Sequence, residues 1–116
     1  MKVGDQKRLS FRMKVEWPVT LDTERGLVEA ETRDISAGGA HIRCKEHLQL
    51  NEPVHLIIKA PDREPLKLAA KVIWADRIDE SNRPRVIGVS FTDLAQEDRK
   101  YLEQAALEHF KASLPE

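Results

Sequence analysis

The chain has 116 residues, of which 41% are hydrophobic and 34% are charged, and its net charge at pH 7 is −1. The length fits one domain, the composition argues against a disordered chain, and no apolar run approaches the roughly 20 residues that a membrane-spanning helix needs. The near-neutral balance argues against a long nucleic acid as partner, because neutralising its phosphates requires a broad basic face.

The basic N-terminus is the first predicted element. Residues 1–14 carry five basic side chains against one acidic side chain. Residues 1–10 are predicted to form a flexible basic arm that suits a small anionic ligand, and the alternative is a solvated terminus without a ligand. This segment lacks the apolar stretch of a signal peptide, and Cys44 is the single cysteine. We therefore expect a cytoplasmic protein without an internal disulfide.

Period-two alternation of apolar residues predicts six short strands after the arm. The first strand contains Pro18, which favours an edge or a bulge, and Arg25-Gly26 is predicted to form the turn after it. The fourth strand is apolar on both faces, which favours a central position. Trp17 and Trp74 lie in apolar stripes and are predicted to belong to the core. The predicted strands cover residues 15–21, 27–33, 40–44, 54–60, 66–74 and 86–91, with a turn at residues 81–84.

Helical spacing replaces the alternation after the last strand. Leu94, Leu102 and Phe110 share one face of a helix predicted from about residue 94 to about residue 111. Asp93 and Gln96 form a capping-box pattern at its start. Six strands followed by one helix predict a mostly β fold, an antiparallel barrel or sandwich with a C-terminal helix packed on it. The predicted parts of this single domain are the arm at 1–10, the barrel at 11–92 and the helix at 93–112.

The predicted turn at residues 34–39 carries groups that suit a ligand. Asp34 supplies acceptors for the N–H groups of a guanine edge, and Ser36 supplies both a donor and an acceptor. Gly38 and Gly39 permit positive φ angles and a close approach of a ligand to the backbone. The alternative is a turn in which Asp34 and Ser36 bond only to their own backbone.

Basic side chains form the second candidate group. Arg8 and Arg12 lie four residues apart, and each can present a planar guanidinium to a phosphate or to guanine O6 and N7. The alternative is a basic arm without a specific ligand. Further candidates around these two groups are Lys7, Arg43 and, with weaker claims, Arg33 and His41.

Taken together, the two groups resemble the motifs of the PilZ family. Arg8-x-x-x-Arg12 is similar to the first motif of that family, and Asp34-x-Ser36-x-x-Gly39 is similar to the second. The resemblance extends from about residue 7 to about residue 110. It includes two late segments that look like strands of the family, namely Val72-Ile73-Trp74 and Gly88-Val89-Ser90-Phe91.

The resemblance implies a six-stranded antiparallel β-barrel that binds cyclic di-GMP on its outer surface. It implies that the arginines of the first motif grip guanine edges and phosphates, while the turn surrounds a guanine from the barrel side. In the family, a basic residue just before the first motif accompanies binding of a stacked ligand pair. Here that residue is Lys7, which stacks less well on a base than arginine, so one bound ligand and a stacked pair both stay open. The candidate ligand-binding residues are Lys7, Arg8, Arg12, Asp34, Ser36, Gly38, Gly39 and Arg43.

The sequence therefore predicts a bacterial second-messenger receptor with no catalytic residue, metal or cofactor. We expect it to signal to an unidentified effector protein as the arm orders over the ligand, and to be a monomer or weak homodimer. The first alternative is a PilZ-like interaction protein of pilus or flagellar assembly that does not bind the nucleotide. A hydrolase or nuclease would need an acid–base or metal set, and another nucleic-acid-binding barrel would need exposed stacking aromatics. The histidines lack metal-ligand spacing.

Overall fold

The computed structural model describes residues 11–76, 85–112 and 114. The arm at residues 1–10 and the turn predicted at 81–84 lie outside these residues. Among the described ranges, no helix is long and apolar enough to cross a membrane. The elements in chain order are β1 (Pro18–Thr23), β2 (Gly26–Ile35), β3 (Gly39–Cys44), β4 (Pro53–Ile58), β5 (Leu66–Ala75), β6 (Arg85–Asp93) and α1 (Gln96–Ala112).

The six strands close into an antiparallel barrel in the order β1-β2-β3-β6-β5-β4. Alternation along each strand turns one set of side chains inward. Val19 of β1 lies opposite Ala30 of β2 and Ile58 of β4, and both Val19 and Ile58 are fully buried. Burial of this apolar set is the main driving force for folding. The predicted six-stranded antiparallel barrel with a C-terminal helix is confirmed.

Pro18 and β4 differ from the predictions because the barrel is closed. Pro18 is the first residue of β1, a position where proline is tolerated, and it marks neither an edge nor a bulge. The segment before it bonds to β2, since the Thr32 N–H donates to the Trp17 carbonyl at 2.9 Å and the Thr32 hydroxyl donates to the Val15 carbonyl. β4 alternates between exposed and buried residues, with His55 outward, and is no more central than its neighbours.

Helix α1 packs on the barrel beside the loop between β4 and β5. Leu102 and Ala106 are buried in the common core. Arg63 of the loop bonds the Asp98 carboxylate at 3.2 Å and lies 4.7 Å from the centre of the Tyr101 ring. One guanidinium therefore holds the first two turns of the helix against the loop.

The start of α1 differs from the predicted capping box. Asp93 is the last residue of β6, where it pairs with Ala69 of β5. The Arg99 N–H donates to the Ala95 carbonyl at 2.9 Å. Because the carbonyl of the N-cap residue accepts the first helical hydrogen bond, the cap is Ala95, and Asp93 does not cap the helix.

The described strands contain three shifts in pairing, and two of them turn side chains of the later site outward. The pairing of β2 with β3 shifts between Thr32 and Asp34, which turns Asp34 to the outer face. The pairing of β5 with β6 shifts between Val72 and Trp74, and Trp74 is 46% exposed. The predicted core position of Trp74 is therefore wrong, because the bulge ends the period-two stripe at Val72. Trp17 is half-buried and packs against the core.

Gly38 and Gly39 do not have the positive φ angles that the sequence suggested. Among the described glycines, Gly26 is the one with positive φ, at 117° in the turn between β1 and β2. A Cβ on Gly39 would lie 2.2 Å from the Val89 carbonyl oxygen, whereas a Cβ on Gly38 would meet nothing nearer than Ser36 Oγ at 4.0 Å. The close approach of β3 to β6 therefore requires a glycine at position 39 and not at position 38.

We expect Gly39→Ala to lower the free energy of unfolding by about 1–3 kcal/mol, because the backbone of β6 must move away from the new Cβ. Gly38→Ala is the matched control and should change it by less than about 0.5 kcal/mol. Urea denaturation of the two variants measures the difference. Equal losses of unfolding free energy in the two variants would contradict the conclusion that the close approach of β3 to β6 requires a glycine at position 39.

Candidate functional site

Four strands bring a row of residues together on the outer face of the barrel. Asp34 of β2 pairs with His41 of β3, His41 pairs with Gly88 of β6, and Gly88 pairs with Trp74 of β5. Residues that are paired across antiparallel strands point to the same face, so these four are neighbours. The rings of His41 and Trp74 meet edge to face, with centroids 5.9 Å apart. We call these four residues the outer row.

Gly88 keeps the middle of the outer row free of side-chain atoms. A Cβ at this position would lie 3.4 Å from the Trp74 Cβ and 3.5 Å from Cδ2 of His41. Any larger side chain would therefore fill the space between the two rings. The absence of a side chain at Gly88 therefore lets the indole and the imidazole meet across β6.

The carboxylate of Asp34 has the most contacts in the outer row. Its Oδ1 accepts from Arg12 Nη1 at 2.6 Å and lies 2.9 Å from His41 Nδ1, and its Oδ2 lies 3.6 Å from Arg33 Nε. The side chain is 9% exposed. Burial raises the pKa of Asp34, but the hydrogen bonds and charges of His41 and Arg12 outweigh it and hold the pKa below its ordinary value. Because an ionised carboxylate only accepts, Nδ1 of His41 carries the proton in this contact.

Arg12 reaches Asp34 because the chain before β1 pairs with the end of β2. The Met13 N–H donates to the Ile35 carbonyl at 2.8 Å, and the Ile35 N–H donates back at 2.9 Å. Met13 is buried, so its neighbour Arg12 is turned outward with its side chain 49% exposed. This backbone bridge joins the two predicted motifs.

The turn after β2 closes on itself beside Asp34. The Ser36 N–H donates to the Gly39 carbonyl at 2.8 Å, and the Gly38 N–H donates to Ser36 Oγ at 3.2 Å. Ser36 therefore bonds its own turn, as the alternative interpretation held, whereas Asp34 bonds side chains of other segments. The Phe91 N–H donates to the Gly38 carbonyl at 3.0 Å and fixes the turn to β6.

A cavity of about 510 Å³ opens beside Asp34. Arg43 faces it, with Nη1 2.9 Å from Glu16 Oε2 and 3.8 Å from Glu31 Oε1. The charge of Arg43 is therefore already compensated, and a ligand would have to compete with Glu16 for it. Three basic and two acidic side chains line the cavity, namely Lys14, Glu16, Arg33, Asp34 and Arg43.

Part of the predicted site is brought together in this region. Arg12 and Asp34 are in direct contact, Asp34 and Arg43 line one cavity, and the three predicted turn residues lie in the turn after β2 and do not line that cavity. Lys7 and Arg8 lie outside the described residues.

Sequence reasoning missed Trp74 as a member of this surface. The bulge that exposes it depends on pairing between β5 and β6, which the pattern of one strand does not reveal. His41 had only a weak claim, although alternation with the buried Ile42 already turned it outward.

The arrangement offers an ionised acceptor that lines an open cavity, a half-exposed guanidinium in contact with that acceptor, and an aromatic side chain at the other end of the outer row. In the ranges described, no group of three or more His, Cys, Asp or Glu side chains could hold a metal ion. The fold is a small β-barrel, and its outer face carries groups that suit a planar, anionic molecule. A model of the PilZ domain matches residues 6–108, so the chain belongs to the PilZ family.

Solved structures with the same fold show low sequence identity to this chain. The inhibitor of motility MotI (DgrA) of Bacillus subtilis has a TM-score of 0.80 and 21% identity, covering 91% of this chain and 52% of MotI. The PilZ domain of Escherichia coli YcgR, solved with cyclic di-GMP, has a TM-score of 0.70 and 12% identity, covering 90% of this chain and 92% of that domain. MrkH of K. pneumonia has a TM-score of 0.73 and 18% identity, covering 89% of this chain and 49% of MrkH.

This chain therefore spans about half the length of MotI and of MrkH. No curated protein matches it in sequence. At these identities the structural likeness supports the fold alone.

We expect Asp34→Asn to lower the free energy of unfolding at neutral pH. We also expect the free energy of unfolding of this variant to fall less steeply than that of wild type as the pH is lowered. The lowered pKa means that the ion pair of Asp34 stabilises the protein above the unfolded value of about 3.9, and that this contribution is lost as the pH falls through the lower folded value. The difference in the free energy of unfolding between wild type and variant should therefore become smaller below about pH 4.

Urea denaturation between neutral and strongly acidic pH measures this difference. Asp22→Asn removes an exposed carboxylate of β1 and is the matched control. A difference for Asp34→Asn that does not narrow in acid would contradict the lowered pKa.

Proposed function

We propose that this PilZ domain is a bacterial receptor that binds cyclic di-GMP on the outer row and the adjoining cavity without changing it chemically. The observation that carries the proposal is the contact between the two motifs, where Arg12 Nη1 lies 2.6 Å from Asp34 Oδ1 at the side of an open cavity. The family supports it, because PilZ domains are cyclic di-GMP receptors and the YcgR domain was solved with that nucleotide.

Asp34 is suited to hold the edge of a guanine. The N1–H and N2–H groups of guanine are adjacent donors, and a carboxylate offers two adjacent acceptors. Oδ1 already has Arg12 and His41, whereas among the described residues Oδ2 has Arg33 at 3.6 Å, which is too long for a hydrogen bond. A guanine that bonds both oxygens would replace Arg12, and His41 would still hold the carboxylate in position.

Arg12 is suited to move from the carboxylate to the ligand. Its guanidinium can bind guanine O6 and N7 or a phosphate in a two-point contact. Lys14 and Arg33 add positive charge at the cavity, which favours a ligand with two phosphates. We include Lys7 and Arg8 of the arm in the site as a proposal from the first motif.

Trp74 offers a surface for a second planar group at the other end of the outer row. Asp34 and Trp74 lie on strands separated by three interstrand steps, which is about 14 Å. A ligand that reaches both residues therefore needs more length than one base, and a cyclic dinucleotide has two. Stacking of a base on an aromatic ring contributes about 1–3 kcal/mol.

The arm provides a route from binding to output. Phe11, next to Arg12, stacks on Phe110 of α1 with ring centroids 5.0 Å apart. We propose that movement of Arg12 toward the ligand orders the arm over it, and that an unidentified effector protein in the cytoplasm recognises the new surface.

We expect the backbone amides of residues 2–12 to gain protection when cyclic di-GMP binds, because the ligand phosphates bond to Arg8 and Arg12 and relieve repulsion among the basic side chains. Amide hydrogen exchange with and without saturating cyclic di-GMP measures this. Protection that is the same in both states would refute ordering of the arm, even where the ligand binds.

We expect Arg12→Ala to weaken binding of cyclic di-GMP by roughly 5- to 150-fold, because it removes a two-point contact to a base or phosphate. Arg99→Ala removes an exposed arginine of α1 and is the matched control, with affinity unchanged within about twofold. Calorimetric titration measures both. Normal binding by Arg12→Ala would mean that the first motif has been misassigned, and no binding by wild type would favour the interaction protein that does not bind the nucleotide.

We expect Trp74→Ala to weaken binding by at least about fivefold through loss of base stacking. Ile73→Ala, at the adjacent residue, which is 56% exposed, is the matched control and should leave the affinity unchanged. Fluorescence or calorimetric titration compares the two variants. Equal affinities would exclude Trp74 from the site.

A further inference from the structure

The barrel wall is incomplete between the first half of β2 and the end of β3. β2 pairs with β1 from Gly26 onward, but its pairing with β3 begins only at Glu31, opposite Arg43. Among residues 11–76, 85–112 and 114, no strand pairs with the β3 side of residues 26–30. We call residues 26–30 the open edge of β2.

The open edge presents backbone groups without hydrogen-bond partners among the described residues. The Thr32 N–H points toward the β1 side, where it bonds Trp17. Because successive residues of a strand point their backbone groups to opposite sides, Val28 also faces β1, whereas Leu27 and Glu29 direct their N–H and C=O groups into the gap. A row of such free groups is a template for pairing with another extended chain.

Two inward-facing side chains are exposed through this gap. Val28 and Ala30 lie opposite Leu21 and Val19, which are fully buried, so all four point into the barrel. Val28 and Ala30 are nevertheless only partly buried, and they line a groove of about 470 Å³. Leu27, at the edge of the gap, is 69% exposed. The groove thus offers apolar surface beside unpaired backbone.

The charges around the groove favour a basic partner. Glu29 bonds the Thr20 hydroxyl at 3.1 Å, and neither it nor Glu46 forms an ion pair with a described residue. Arg43 is already paired with Glu16, which leaves Lys45 as the lining cation without an ion pair in the described part of the chain.

We propose that the open edge of β2 is a docking site for an extended segment of a partner protein. The segment adds as a strand and exchanges backbone hydrogen bonds with Leu27 and Glu29. Its alternate residues point an apolar side chain inward over Val28 and Ala30 and a lysine or arginine outward opposite Glu29. This proposal does not depend on nucleotide binding, because the middle of the open edge lies about 20 Å along β2 from Asp34.

Amide hydrogen exchange of the free chain provides the first test. The amides of Leu27 and Glu29 should exchange at least about tenfold faster than those of Val28 and Ala30, which bond β1. Equal protection would mean that another part of the chain or a second copy already fills the gap, and it would overturn the proposal.

A blocked peptide of sequence Thr-Lys-Val-Lys-Val-Lys-Thr is the probe for the second test. It should cause saturable NMR shifts of the Leu27 and Glu29 amides and slow their exchange. The same peptide with its central residues N-methylated should bind roughly tenfold more weakly or not at all, because it cannot donate the backbone hydrogen bonds. Failure of the unmethylated peptide to shift these amides, or equal binding of the two peptides, would overturn the proposal.

Three variants separate this site from its surroundings. Glu29→Lys should lower the affinity for the peptide by at least about threefold at low salt. Glu103→Lys, the same change on α1, should leave that affinity unchanged. Arg12→Ala should bind the peptide as wild type does, although we expect it to lose affinity for cyclic di-GMP. Equal effects of the two lysine variants would contradict the proposed charge contact at Glu29.

Discussion

The ion pair of Asp34 is the constraint on which the outer face of this barrel depends. A carboxylate that is 9% exposed needs partners, because an unpaired charge at that depth is strongly destabilising. The partners come from two separate segments, Arg12 before β1 and His41 in β3, and both meet one oxygen. The backbone bridge between Met13 and Ile35 keeps the first segment within reach.

The two described residues that meet Oδ1 of Asp34 are not equivalent. His41 is held between Asp34 and Trp74 within the barrel wall, whereas Arg12 lies on the chain before the barrel and is half exposed. If a ligand with two neutral N–H donors replaced Arg12 at the Asp34 carboxylate, the rest of the fold would therefore need to change less than if it replaced His41. Such an exchange would release a cation beside a cavity lined by three basic and two acidic side chains, and under the proposed function it would link recognition of a base to recognition of its phosphates.

Most of the fold follows from alternation in the sequence, because a strand with one buried face repeats every two residues. The features that the sequence did not predict depend on pairing between strands. The bulge before Trp74 and the close approach of Gly39 to Val89 both depend on β6. The residue pattern of a single strand does not show how a neighbouring strand pairs with it. Asp34 was predicted from its motif, but its contact with Arg12 could be inferred only from the resemblance of both motifs to a family.

The most direct measurement of guanine recognition is calorimetric titration of the wild-type chain with cyclic di-GMP and with cyclic di-AMP. Adenine presents an acceptor at N1 and an amino donor at the position of guanine O6, so Asp34 would face an acceptor and Arg12 a donor. Saturable binding of cyclic di-GMP is expected, with cyclic di-AMP at least about tenfold weaker. Equal affinities, or no binding of cyclic di-GMP, would contradict recognition of guanine by Asp34 and Arg12.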